Sequence, residues 1–163
     1  VKAPYLLIMN ANCTISSPQE WLDEALRIFD MDEKVAAVSA RLSREGTVVS
    51  AGIEKRDDGQ LQSFLAGRAL VETGSYSEWY KPRKIFSPNV DFLFARSELL
   101  LQFMSEVESV ALPELGIQFG FWCESKNYLV AYSPLIEVPF SRWYTSDSGL
   151  IQTNNAELQS KHF

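Results

Sequence analysis

The chain has 163 residues, 46% of them hydrophobic and 22% charged, which is the composition of one globular domain with a real core rather than of a disordered segment. A formal net charge of -6 and the lack of any basic block argue against the nucleic-acid backbone as a partner. No apolar run approaches the roughly 20 residues that span a bilayer.

Cys13 and Cys123 are too few for a disulfide scaffold and have no metal-type spacing. A reduced, cytoplasmic setting is therefore expected, with one bridge left open. The single histidine, His162, lies next to the last residue, which argues against a Ser-His-Asp or Cys-His catalytic set and against a His-rich zinc site. The N-terminal apolar stretch has no small-residue cleavage site after it, so a signal peptide is not expected. The first residue is Val1 and a strand follows almost at once, from which a fragment or excised domain is expected.

In chain order, residues 4–9 form a continuous apolar run, the pattern of a strand covered on both faces. Residues 10–17 are polar and loop-like. Ser17-Pro18-Gln19-Glu20 predicts a helix start, with Ser17 as cap, Pro18 in the first turn and Glu20 closing a capping box. Trp21, Leu22, Ala25, Leu26 and Phe29 follow as one apolar stripe, and the helix is expected to stop near residues 30–32. Val35 to Ala40 predicts a second buried strand. Arg44-Glu45-Gly46 marks a turn, Thr47 to Ile53 a strand, and Asp57-Asp58-Gly59 another turn. Residues 60–86 predict a long irregular excursion with one short helix, carrying Tyr76, Trp79 and Tyr80 beside Lys81, Arg83 and Lys84.

Asn89 to Ala95 predicts a third strand. Ser97 caps a helix bearing Leu99, Leu100, Phe103, Met104 and Val107, and Pro113 opens another with Leu115, Phe119, Trp122 and Cys123 on its stripe. Tyr128 to Tyr132 and Leu135 to Phe140 predict two further strands. Residues 1–144 are thus expected to form the domain and 145–163, rich in Ser, Asn, Gln and Thr, a polar tail. Alternating strands and helices predict an α/β fold with a mostly parallel sheet flanked by helices. Such sheets bind ligands beyond the carboxyl ends of their strands, where Asn10, Asn12, Arg96 and the segment after Phe140 are expected.

From Tyr5 to about Phe140 the order of these pieces resembles the family 2 glycosyltransferases of GT-A fold. Tyr5-Leu6-Leu7-Ile8-Met9-Asn10-Ala11-Asn12 resembles the strand that delivers the family's Asp-x-Asp metal motif. Trp21 to Phe29, then Asp32-Glu33-Lys34-Val35-Ala36-Ala37-Val38, resemble the helix and strand after it. Thr47 to Gly52 with Asp57-Asp58-Gly59 resembles the next hairpin, Val90 to Arg96 the strand toward the acceptor side, and Tyr128 to Pro134 a common ending strand. The resemblance rests on shared order and spacing and covers the acceptor-side portion of the fold, with the nucleotide-recognising half not represented. It implies transfer of a sugar from a nucleotide-sugar donor to a carbohydrate hydroxyl acceptor, with inversion, in cell-surface polysaccharide synthesis. Mg or Mn would be the cofactor, because these cations prefer charged oxygen ligands.

Three departures accompany the resemblance. Asn10 and Asn12 replace the metal-binding aspartates, and an amide oxygen brings no negative charge. The base motif falls on Leu115-Gly116-Ile117-Gln118, none of which can take a proton, which leaves Glu114 as the nearby candidate. The family's late His falls near Phe140-Ser141 and is absent.

Each candidate has a plainer alternative. Asn10 and Asn12 can be turn formers, and Glu114 a first-turn acid favoured by the helix dipole. Asp91 and Arg96 can be a surface pair or substrate contacts. Lys81, Arg83 and Lys84 beside Trp79 and Tyr80 can hold phosphate, stack on a sugar or be solvated. Trp143, with Arg142 and Tyr144, can be a sugar platform or cover the core edge. The alternative to a transferase is a catalytically silent domain for carbohydrate binding or protein interaction. A sheet open at its first strand is expected to pair with a second copy or with a missing portion of the parent protein.

Overall fold

A computed structural model of the chain describes residues 3–107 and 109–141. Eight strands and three α-helices are found among these residues: β1 (Tyr5–Met9), α1 (Pro18–Met31), β2 (Val35–Arg44), β3 (Thr47–Ser50), β4 (Ile53–Lys55), β5 (Leu61–Ser63), β6 (Arg83–Ile85), β7 (Phe92–Arg96), α2 (Ser97–Glu106), α3 (Leu115–Ser125) and β8 (Leu129–Pro139). A 3-10 turn at Ser75–Tyr80 interrupts the 60–86 excursion, and another at Leu112–Glu114 leads into α3.

The main sheet runs β1-β7-β2-β8-β6, with β3 also paired to β2. The fold is α/β as expected, but the sheet is mixed and mostly antiparallel. Only β2 with β8 is a parallel pair among the described strands; β1–β7, β7–β2, β2–β3 and β6–β8 are antiparallel. The expectation of a mostly parallel sheet is therefore corrected. An apolar run reads the same in any strand covered on both faces, so composition alone does not reveal its direction.

The covering layers explain those runs. Phe92, Phe94, Val38, Ala40 and Leu42 pack with Ala25, Ile28 and Phe29 of α1. Leu93, Ala95, Ala37 and Val130 pack on the opposite face with Leu100 and Phe103 of α2 and Phe119 and Trp122 of α3. Complete burial of rings such as Phe92 and Phe103 contributes about 1.5–3 kcal/mol apiece.

Local differences have local causes. Ser17 makes no capping side-chain bond, and α2 starts at Ser97 itself, whose buried hydroxyl has no hydrogen-bond partner among the described residues. The strand expected over Thr47 to Ile53 is split at Gly52, whose φ of 103° only glycine adopts easily. The two strands expected over 128–140 are one, β8. Its pairing with β2 jumps from Ser39↔Tyr132 to Arg41↔Glu137, so residues 133–136 bulge past Ala40. Cys13 and Cys123 are both free and buried, one in each layer's core, so the bridge left open by the sequence is not formed.

Candidate functional site at the carboxyl edge of the sheet

β1 and β2 are each antiparallel to β7, so β1, β2 and the parallel β8 all point one way. Their carboxyl ends share one edge of the sheet, and β7 begins there. Asn10, Asn12 and Asp91 meet at that edge. Asn10 Nδ2 donates to Asp91 Oδ1 at 2.8 Å, and the Asn10 backbone N–H donates to the Asp91 carbonyl at 3.0 Å. Asn10 Oδ1 in turn accepts from the Asn12 backbone N–H at 3.0 Å and from Asn12 Nδ2 at 2.8 Å. This is the two-residue side-chain turn that asparagine forms readily.

The network extends across the sheet. The Asp91 N–H donates to Asn89 Oδ1 at 3.0 Å, and the Asn89 N–H donates to Ser39 Oγ on β2 at 3.1 Å. At the other side, Ser141 N–H donates to the Asn12 carbonyl at 2.9 Å. Asp91, Asn89 and Ser39 are all buried. Cys13 joins the set through its thiol, which donates to the Asp91 carbonyl at 3.2 Å. Burial first, and then the nearby Asp91 charge, push this thiol up to about 11. It is protonated near neutrality and is no nucleophile.

The set does not fit a divalent cation. The Asn10 oxygen that would ligate takes two hydrogen bonds from Asn12, and its amide nitrogen faces the only carboxylate of the network. Among the described residues no group of three or more His, Cys, Asp and Glu side chains is placed to hold a metal. Hard cations need several charged or carbonyl oxygens converging on one point. The arrangement instead joins amide donors, amide oxygens and one buried carboxylate to one another.

Arg96 is not part of this site. It closes β7, and the register Tyr5↔Arg96 and Met9↔Phe92 puts it at the far end of the strand. The five-residue span places it about 17 Å from Asp91 at the usual rise per residue. Its Nε donates to the Val35 carbonyl and its Nη2 to the Phe29 carbonyl, both at 2.9 Å, while its guanidinium lies over the Phe29 ring. It ties the end of α1 to the start of β2. The expectation that Arg96 stands at the same strand-end edge as Asn10 and Asn12 is corrected, because an antiparallel strand carries its carboxyl end to the opposite edge.

Glu114 is exposed at the end of the 3-10 turn and accepts from Gln118 Nε2 at 3.0 Å. Leu115, Gly116, Ile117 and Gln118, where the base motif was expected, are buried in α3. Gly116 and Gly120 let this helix lie on the segment that leads to Asp91. A Cβ at Gly116 would stand 2.7 Å from the Pro88 carbonyl oxygen, and one at Gly120 2.8 Å from that of Phe86. Trp143, with Arg142 and Tyr144, lies outside the described residues.

A second polar set on the same edge was not singled out from the sequence. Ser39, Arg41 and Ser43 are buried and alternate along β2 with Val38, Ala40 and Leu42, which pack toward α1. Arg41 Nη2 pairs with Glu137 of β8 at 3.0 Å, and Ser43 Oγ donates to the same carboxylate at 2.8 Å. The Tyr80 ring lies over the Arg41 guanidinium at 5.4 Å. Arg41 Nε is buried and has no hydrogen-bond partner among the described residues, a deficit of about 1–3 kcal/mol. The period-two alternation from residue 38 to 43 was the signal that would have found this set.

Compared with protein-family models and with curated proteins, the chain matches none.

Proposed function

We propose that the chain is a glycosyltransferase-like domain, related to the acceptor-side portion of a family 2 GT-A enzyme, that holds carbohydrate at the carboxyl edge of its sheet without a metal. The observation that supports it is the Asn10–Asn12–Asp91 network. The positions that resemble the metal pair lie together at the edge where α/β sheets bind ligands. Transfer from a nucleotide-sugar in cell-surface polysaccharide synthesis is the activity that the resemblance assigns to such a domain. Fold alone does not carry that activity over.

One observation favours the second reading, a catalytically silent carbohydrate-binding or interaction domain. The amide oxygen that would replace a metal-binding carboxylate is already occupied by Asn12. The base motif is replaced by buried Leu115 to Gln118, with Glu114 bonded to Gln118. A cytoplasmic location belongs to the same proposal; the structure adds that no helix among the described residues is long and apolar enough to cross a membrane. So does a homodimer, or docking with a further portion of the parent protein, through β1, which ends the described sheet. A monomer in light scattering at high concentration would remove the homodimer.

The test is a glycan array followed by calorimetric titration with the captured glycan and with UDP, GDP and dTDP, each with and without Mn. The expected result is glycan binding that Mn leaves unchanged. Mn-dependent nucleotide binding would overturn the metal-free reading and restore the full transferase reading. Absence of any carbohydrate or nucleotide binding would overturn both.

A further inference from the structure

The Arg41–Glu137 pair is unexplained by packing. It joins a buried guanidinium to a carboxylate that is 39% exposed, and pairs open to solvent on one side add little to stability. It also leaves one charged donor, Arg41 Nε, enclosed and without an acceptor among the described residues. Buried polar groups in folded chains are satisfied by protein, water or ligand, and an exception points to a missing partner. The pair stands at the carboxyl end of the parallel strands β2 and β8, the usual ligand side of an α/β sheet.

Its surroundings define the chemistry of that partner. Tyr80, 40% exposed, lies over the guanidinium and is held by its hydroxyl's bond to the Leu70 carbonyl at 2.6 Å. Arg83 is the register partner of the buried Tyr132 on β8. Arg83 is exposed, as is Lys81, the residue that follows Tyr80 in the chain. The Arg83 guanidinium lies over the Phe64 ring at 4.8 Å, and Phe64 packs edge-on against Tyr132, so a second cation stands on the face that carries Arg41. Arginine with an aromatic face binds planar or anionic groups, with the ring free to stack on an apolar sugar face. Glu137, whose side chain is 39% exposed, is left to accept from hydroxyls.

We propose that Arg41, Ser43, Glu137 and Tyr80, rimmed by Arg83 and Lys81, form a binding site for the anionic group of an acidic sugar, carboxylate or phosphate. The anion displaces the Tyr80 ring from the guanidinium and accepts from Arg41 Nε, while the sugar stacks on Tyr80 and its hydroxyls bond to Glu137. This rests on the carbohydrate reading above and specifies its ligand.

The experiment is proton–nitrogen NMR of the full chain, following the Arg41 Nε–H and the backbone signals of residues 79–84, titrated with D-glucuronate, glucose 1-phosphate, glucose and inorganic phosphate. Glucuronate and glucose 1-phosphate are expected to shift these signals, with glucose and inorganic phosphate much weaker. The Arg41→Gln variant should bind about tenfold more weakly, the loss of one charge-assisted hydrogen bond. In case that variant does not fold, Arg83→Lys, which keeps the charge over Phe64, should leave binding within about twofold, and Arg83→Gln, still folded by its backbone signals, should weaken it about threefold through its charge. Equal shifts with glucose would overturn the anionic assignment, and equal shifts with inorganic phosphate would overturn the sugar assignment. No shift from either acidic sugar would overturn the site. If glycans then shift only signals around Asn10 and Asp91, the carbohydrate reading survives alone; if none shifts any signal, both fall.

Discussion

The two ends of the β1–β7 pair make different use of similar chemistry. At one end Arg96 spends its donors on the Phe29 and Val35 carbonyls and stacks on the Phe29 ring. Its partners are backbone groups at the end of α1 and the start of β2, and the whole arrangement is accounted for by holding the helix to the sheet. At the other end Asn10, Asn12 and Asp91 bond through side chains, and beside them Arg41 keeps a buried donor without an acceptor among the described residues. Polar groups that close on backbone build the scaffold. Polar groups that converge on one another at the carboxyl edge leave a donor over among the described residues, and it is there that the proposed ligand would bind.

The largest effect is expected at the scaffold end. Arg96→Ala removes two charge-assisted bonds and strands two carbonyls, which should cost about 3 kcal/mol in urea unfolding. Carbohydrate binding by the folded fraction should persist; its loss would break the division between the two ends.

Asn10→Asp comes next. It turns the Nδ2 donor toward Asp91 into an oxygen and sets two carboxylates against each other, a cost of about 2 kcal/mol at neutral pH. Mutual repulsion raises the folded-state affinity of the pair for a proton above that in the unfolded chain. The penalty should therefore shrink as pH falls through the carboxylate range and grow above it. Stabilisation of this variant by Mn in a thermal melt would show that the edge accepts a cation after all.

Gly116→Ala tests whether α3 supports the site through the Pro88 segment. A Cβ at 2.7 Å from the Pro88 oxygen must shift helix or segment, for about 1–2 kcal/mol. A sharper result than lost stability would be a shift in the Asn89 and Asp91 amide signals.

The smallest effect is expected at Glu24, in the middle of the helix that Arg96 anchors. Glu24 accepts from Arg27 at 2.7 Å and from Ser133 in the β8 bulge at 2.6 Å. The Arg27 bond first, with Ser133 also contributing, holds its carboxyl below the ordinary range. The group binds fewer protons folded than unfolded, so its contribution is present above the unfolded value near pH 4 and is lost as pH falls through the lower folded one. Glu24→Gln should cost about 1 kcal/mol at neutral pH, the half-exposed Arg27 screening the pair, and nothing at low pH. A difference that persisted in acid would assign the effect to packing instead.

The sequence by itself determined the element types and most of their order. Apolar runs at 5–9, 35–40 and 92–95 became strands because both faces of the sheet are covered, and the stripe from Trp21 to Phe29 became α1 because it has somewhere to bury. It also brought Asn10 and Asn12 forward, since an apolar strand ending in two amides is visible locally. Strand direction was decided only by the tertiary structure. Nothing within residues 92–96 says that they run against β1 and β2, yet that choice sends Arg96 to the scaffold end and brings Asp91 to Asn10. The Arg41–Glu137–Tyr80 set joins residues far apart in sequence, so it exists only once β2, β8 and the 3-10 turn at Ser75–Tyr80 have met. Local pattern reports what a segment buries; long-range pairing reports what it stands beside, and the candidate sites depend on the second.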